Sequence, residues 1–343
     1  MTSWLACGPP SGDSGQQATP YHSVLVRALW IDRSITLRDV PLSVRADECR
    51  IRVTLAGICG TDLQLLDGYA RDVGFTGVLG HEFVGVVEEV PSSVDSSWMG
   101  QRVVGEINVG CGACDWCHRG VKEHCPARTA LGIRGRPGAF AESLSLPAAN
   151  LHRVPDQLGD RTAVFVEPTA AACRLLSQVP PTASDDVVVL GDGRMGLIVG
   201  QVLATTGARV TVVGKHADKL AVARGLGLSS AVAGDLGERA ADYVVDATGR
   251  PGGLAHALQI VKPRGTLVVK STFHGEARLP LSALVVDEVR IVGSRCGPFA
   301  PAIDMLVSGR VRVEPLIAET FSLDDHQAAF DLARRSLKVL LRP

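Results

Sequence analysis

Residues 186–214 read DVVVLGDGRMGLIVGQVLATTGARVTVVG, and this run restricts the fold more than any other part of the chain. Val187 to Leu190 form an unbroken apolar run, as a parallel strand covered on both faces requires. Gly191, Gly193 and Gly196 follow in a G-x-G-x-x-G pattern. The pattern predicts a helix from near Arg194 to near Gly207, and Val210 to Val213 form the next buried strand. Three spaced glycines alone say little. Set between a strand and a helix, they form a dinucleotide-binding fingerprint. They permit the tight turn, let the backbone approach a pyrophosphate, and let helix and strand pack closely. Backbone N–H groups at the helix start then face the phosphates. Gly191, Gly193, Arg194, Met195 and Gly196 are the expected contacts. Further strands at Tyr243-VVDATG and Gly265-TLVV extend a Rossmann, doubly wound α/β pattern.

The end of the second strand bears on the choice of cofactor. NAD enzymes usually place an acidic residue there for the ribose hydroxyls. This chain reads VVGKH, with Gly214 in that place and Lys215 and His216 after it. With no carboxylate at the strand end and two potential cations beyond it, the expectation is NADP over NAD. Asp192, inside the glycine turn, would repel a pyrophosphate unless its side chain points away, and Arg194 offsets its charge.

A chain of 343 residues is too long for one ordinary core and predicts two domains. From Val24 to Leu151 the pattern changes to short Val-rich strands, such as IRVTLAG and FVGVVEEV, separated by Gly, Pro and Asp turns. That part reads as a compact β-domain holding loops. A β-rich first part and a Rossmann second part suggest an enzyme. The formal charge of -1 gives no general attraction for nucleic acid or an anionic membrane. No apolar run approaches the roughly 20 residues of a membrane span. Residues 1–22 are rich in Gly, Pro, Ser and Gln and lack the basic start and apolar centre of a secretory signal. They predict a disordered tail on a cytoplasmic protein, in which clustered thiols more often bind metal than pair.

The chain holds such a cluster. GCGACDWCHRGVKEHCP places Cys111, Cys114, Cys117 and Cys125 in a C-x2-C-x2-C-x7-C pattern. Four thiols this close suit a metal centre, a redox relay, a disulfide knot or a fastener. Other metal-type residues are scattered: Cys59 in AGICGTD, His81 in VLGHEFVG, and Glu167 in VFVEPTAAACRLL. Cys, His and carboxylate are donors that zinc accepts, and three protein ligands leave a fourth position open. Taken singly, Cys59 also reads as a buried thiol, His81 as a hydrogen-bonded residue and Glu167 as a helix cap. Spacing alone does not bring them together.

In this order, the motifs AGICGTD, GHEFVG, the four-cysteine loop, GAFAES, VEPTAA and GDGRMG resemble the zinc-dependent medium-chain dehydrogenase/reductase superfamily, in its alcohol, polyol and threonine dehydrogenase-like branch. The resemblance spans about residues 24 to 343. It implies a GroES-like catalytic domain over 23–170 and 300–343, and a Rossmann cofactor domain over 171–299. It implies two zinc ions per chain: a catalytic zinc on Cys59, His81 and Glu167, and a structural zinc on Cys111, Cys114, Cys117 and Cys125. The cysteine loop is then a fastener. The implied reaction is hydride transfer between a nicotinamide cofactor and a secondary alcohol, polyol or amino alcohol, or the matching carbonyl. Thr61 matches the hydroxyl that passes the alcohol proton outward, Asp62 the carboxylate that orients the ligand His, and Glu82 a residue that tunes the metal. Many relatives carry His three residues after that hydroxyl, where this chain has Gln64. A homodimer or homotetramer is also implied. The alternatives are a zinc-free quinone or enoyl reductase, which generally lacks both zinc sets, and a zinc-stabilised non-catalytic binding protein, which has no need of Cys59, Thr61, His81 and Glu167 together.

Overall fold

The computed structural model describes residues 21–69, 74–272 and 276–343. The described residues divide into two compact units, one of those up to Val164 together with Glu319–Pro343 and one of those in Phe165–Ala318. The tail expected over 1–22 lies outside the described residues, apart from Tyr21 and His22, which open the first strand.

The first unit is β-rich. β1 (Tyr21–Ile31) and β2 (Ile35–Arg45) form an antiparallel hairpin in continuous register, and β4 (Gly77–Val78) pairs on the other side of β1. A larger sheet runs in the order β11 (Leu151–Arg153), β6 (Arg102–Gly105), β5 (Glu82–Glu89), β3 (Glu48–Gly57), β19 (Lys338–Arg342) and β18 (Ile317–Ser322), with β10 (Ser143–Pro147) also on β3. Apolar side chains of β3, β10 and β19 supply much of the core; Ile51, Leu144, Leu146, Val339, Leu340 and Leu341 are all sealed from solvent. Gly85 has a packing reason in β5: a Cβ there would meet the Arg52 carbonyl oxygen at 2.4 Å. A small sheet of β7 (Asn108–Val109), β8 (Thr129–Leu131) and β9 (Gly135–Arg136) flanks the cysteine loop. Three helices here are short, α1 (Gly60–Gln64), α2 (Asp115–His118) and α3 (Asp160–Ala163) each being a turn or so, and a longer one spans His326–Ala333.

The second unit opens with α4 (Val166–Gln178) and holds a six-stranded parallel sheet. The strands are β12 (Asp186–Leu190), β13 (Arg209–Gly214), β14 (Ser229–Val232), β15 (Ala241–Asp246), β16 (Val261–Val269) and β17 (Arg290–Gly293), in the order β14-β13-β12-β15-β16-β17. Val187 to Leu190 are buried, as the unbroken apolar run requires. α5 (Arg194–Ala204) starts at the expected residue and ends one turn early. Gly207 takes a φ of 86° after it, a left-handed conformation that glycine adopts at little cost.

One boundary differs from expectation. The chain rejoins the first unit at Glu319 rather than near Ala300. The reason is α9 (Phe299–Val307), whose buried face packs on α4. Cys173 Sγ of α4 lies 3.6 Å from Met305 Sδ of α9. Gly297 lets the approach to that helix happen, since a Cβ there would fall 1.9 Å from the Ala170 carbonyl oxygen. Among the described residues, no helix is long and apolar enough to cross a membrane.

Candidate active site

Strand pairing explains how distant metal-type residues meet in the first unit. β3 and β5 are antiparallel, with Gly57 opposite Glu82. That register sets the turn after β3, which carries Cys59, against the residues that open β5. Cys59 caps α1, and its backbone N–H donates to Asp62 Oδ2 at 2.8 Å. Donor atoms of Cys59, His81 and Glu82 all lie within 4.8 Å of one another. His81 is buried, and its Nδ1 lies 3.3 Å from Asp62 Oδ1. This places the Asp62 carboxylate against one ring nitrogen, where the orienting partner of a metal-binding histidine commonly stands. Burial disfavours a charged imidazole, but the Asp62 carboxylate and Cys59 sulfur outweigh it and hold the His81 pKa well above the ordinary value. Such a set of negative and polarisable donors around an imidazole suits a cation.

Glu82 has a partner that the sequence reading missed. Lys338, fully buried at the start of β19, donates its Nζ to Glu82 Oε2 and to the Ile58 carbonyl, the latter at 3.3 Å. Glu82 Oε1 is buried without a hydrogen-bond partner, a donor atom of the kind a nearby metal satisfies. Thr61 Oγ1 lies 4.0 Å from Cys59 Sγ, and Gln64 closes α1. Glu167 belongs to the second unit, in the first turn of α4 as expected. The same helix is held by Lys270, whose Nζ donates to the carbonyls of Ala171 at 2.6 Å and Arg295 at 2.7 Å. Burial pulls the Lys270 pKa down to about 8, against the opposing pull of Cys296 and Glu167.

The four loop cysteines also converge. Their sulfurs lie within 4.8 Å of one another, and none of the described cysteines is in a disulfide. Cys114 and Cys117 sulfurs are 3.6 Å apart. Four sulfurs at about 2.3 Å from a tetrahedral zinc would be separated by roughly 3.8 Å, so the spacing fits. Gly110 makes room, since a Cβ there would stand 2.7 Å from Cys117 Sγ. The Ala113 backbone N–H and the Cys125 side chain hold Cys111 down to about 6. For Cys114 a backbone bond from Cys117 lowers the pKa, but burial and the neighbouring thiols prevail and push it up to about 11.

The third site is the groove at the C-terminal ends of β12, β13 and β15. It measures about 480 Å³ and is lined by the glycine turn, Gly214, Lys215, His216 and Lys219 among others. Gly196 permits the tight helix start, because a Cβ there would fall 1.8 Å from the Gly191 carbonyl oxygen. Gly193 caps α5, so Arg194, Met195 and Gly196 form its first turn, as expected.

Here one expectation is corrected. The end of β13 does not lack a carboxylate, because Asp192 reaches it from the glycine turn. Its Oδ2 accepts the backbone N–H of Lys215 at 2.7 Å and of His216 at 2.8 Å, and His216 Nδ1 lies 3.0 Å away. Burial raises the Asp192 pKa, but the His216 and Lys215 donors outweigh it and hold the carboxyl below its ordinary value. Asp192 does turn its charge toward donors, those of residues 215 and 216.

A nucleotide groove on a parallel sheet in the second unit, and two sets of metal-type donors in the first, are together the marks of a nicotinamide-dependent dehydrogenase. Two family models match accordingly, the alcohol dehydrogenase GroES-like domain over residues 45–156 and the zinc-binding dehydrogenase over residues 195–308. The chain belongs to the zinc-dependent medium-chain dehydrogenase/reductase superfamily.

Its relatives include an L-threonine 3-dehydrogenase of Streptomyces avermitilis, 34% identical over 86% of this chain and 91% of that protein. D-arabinitol dehydrogenase 1 of Uromyces fabae is 29% identical over 91% and 94%. Among solved structures, the RspB alcohol dehydrogenase of Escherichia coli CFT073, complexed with NADH, superposes with a TM-score of 0.85 at 28% identity, covering 93% of this chain and 99% of that one. A zinc-binding dehydrogenase of Sinorhizobium meliloti 1021, bound to NADP, gives 0.84 at 27% identity, covering 93% and 100%. The chain is thus an alcohol-type oxidoreductase that uses a nicotinamide cofactor.

Proposed function

We propose that this chain is a zinc-dependent dehydrogenase acting on a secondary alcohol, polyol or amino alcohol, or on the matching carbonyl. The observation that carries the reading is the meeting of Cys59, His81 and Glu82, with Asp62 behind the imidazole and Lys338 behind the glutamate. Cys59 and His81 would hold the catalytic zinc; Glu167, the third ligand that the resemblance implies, belongs to the second unit. Cys111, Cys114, Cys117 and Cys125 hold a second, structural zinc. The bound catalytic metal supplies Lewis acidity toward the substrate oxygen.

The chain's own residues do the rest. Asp62 fixes the orientation of the His81 ring. Thr61 takes up the alcohol proton at its hydroxyl and passes it outward. Glu82 adjusts the charge around the donors, and Lys338, buried with it, neutralises it. The glycine turn and the start of α5 receive the pyrophosphate, which places the nicotinamide by way of the bound dinucleotide. The expectation of NADP rested on a strand end without a carboxylate, so the choice between NADP and NAD passes to Asp192.

A zinc-stabilised binding protein without catalysis is the second reading, and it leaves the buried Cys59 set without a use. The test is a screen of secondary alcohols, polyols, amino alcohols and their carbonyls, followed by nicotinamide absorbance. The reading expects turnover with at least one substrate class and loss of turnover on chelation, restored by zinc. Turnover that survives complete removal of zinc would contradict it.

A further inference from the structure

Gly214 stands where dinucleotide enzymes place the side chain that meets the adenosine ribose. A Cβ built on Gly214 would come within 2.2 Å of Asp192 Oδ2, 2.3 Å of its Cβ and 2.4 Å of its Cγ. The Asp192 side chain therefore fills the volume in which a strand-end side chain would begin. The carboxylate that NAD enzymes carry on the strand is supplied here from the glycine turn, 22 residues earlier in the chain (214 less 192).

The donors around it sharpen the point. Two successive backbone N–H groups, of Lys215 and His216, converge on Asp192 Oδ2. The His216 imidazole closes on both oxygens, with Nδ1 at 3.1 Å from Oδ1 and 3.0 Å from Oδ2. Successive N–H groups joined by an imidazole nitrogen form a natural seat for an anion. In this chain the seat already holds one, and Asp192 is only 7% exposed. The donors that the sequence offered to a 2′-phosphate are spent on an internal carboxylate.

We infer that Asp192 is the residue that selects the cofactor, and that it selects NAD over NADP. This rests on the nicotinamide reading above and reverses the preference expected from the sequence. An ionised carboxylate has about four acceptor positions; the backbone N–H groups of Lys215 and His216 and the His216 ring take three of them, and a ribose hydroxyl can donate to the one that remains. A 2′-phosphate instead brings a second anion of about -1.5 to -2 charge against it. The Lys215 side chain is exposed, where water and salt weaken its attraction for that phosphate. Gly214→Asp is a poor test, because its Cβ would collide with the carboxylate already in place.

The experiment is a titration of the purified zinc-loaded protein with NADH and with NADPH, read by nicotinamide fluorescence. Wild type is expected to bind NADH at least about tenfold tighter, a difference of about 1.4 kcal/mol. Asp192→Asn keeps the size and removes the charge, and it is expected to narrow that ratio about tenfold, chiefly by gaining NADPH. Wild type that binds NADPH as tightly as NADH would overturn the inference, whether or not the variant folds. A folded Asp192→Asn with an unchanged ratio would overturn the role given to this residue. Binding of neither dinucleotide would instead overturn the oxidoreductase reading on which the inference stands.

Discussion

Lys338 and Glu82 form an ion pair sealed from solvent beside Cys59 and His81, and Gly57 lies against both. A Cβ on Gly57 would stand 2.6 Å from Glu82 Oε2 and 2.9 Å from Lys338 Cε, so the backbone leaves no slack around the pair. Removing one member of such a pair strands the other charge, at a cost of about 3–5 kcal/mol. Lys338→Met should therefore lower stability by that amount in denaturant melts. Adding Glu82→Gln should recover a good part of it, because no charge is then left alone. A single variant as stable as wild type would show that Glu82 is neutralised in another way.

The two cysteine sets should fail differently. Cys114→Ser is expected to weaken folding, because a structural zinc contributes folding free energy. Cys59→Ser is expected to remove turnover and leave the melting temperature nearly unchanged. Equal melting losses in the two variants would count against the division of roles.

Thr61→Val preserves shape and removes the hydroxyl near Cys59. Alcohol oxidation should slow by about two orders of magnitude or more, in line with the loss of a general acid–base step. Gln64→His should add a group titrating near neutrality and so change the pH-rate profile. An unaltered rate in Thr61→Val would mean that the proton leaves by another route.

Lys270 gives a pH signature. Its pKa lies at about 8 in the folded chain, against an ordinary value of 10.5. Below about 8 both states carry the proton and the folded state bears the full burial cost, up to about 3 kcal/mol at about 1.36 per pH unit. Between those two values the unfolded chain binds a proton that the folded chain lacks, so this residue makes stability rise with pH. The stability of wild type relative to Lys270→Met should climb across that window, measured by denaturant unfolding. A difference that stays flat would mean that Lys270 is solvated in the folded state.

Local signals carried far in this sequence. The apolar run Val187–Leu190 and the spaced glycines locate β12, the turn and the start of α5, because each depends on neighbours in the chain. The thiol spacing likewise marks a site held within one loop. What escaped depends on contacts that spacing does not encode. α9 was expected to leave the Rossmann part, yet its apolar face is buried on α4. Lys338 has no motif around it, and its place at the head of the apolar run VLL does not say which carboxylate it meets. The Asp192 carboxylate was visible as a charge but not as a reach, and the sole linear signal was a glycine where a strand-end acid is usual.

The central claim is that two zinc ions serve two separate purposes, one chemical and one structural. Metal analysis of purified wild type and of folded Cys59→Ser, with turnover measured on the same samples, tests it most directly. Two zinc ions per chain are expected in wild type, and one in Cys59→Ser together with lost turnover and an intact fold. Wild type that is fully active with a single zinc per chain, or Cys59→Ser that keeps both its zinc and its activity, would contradict it.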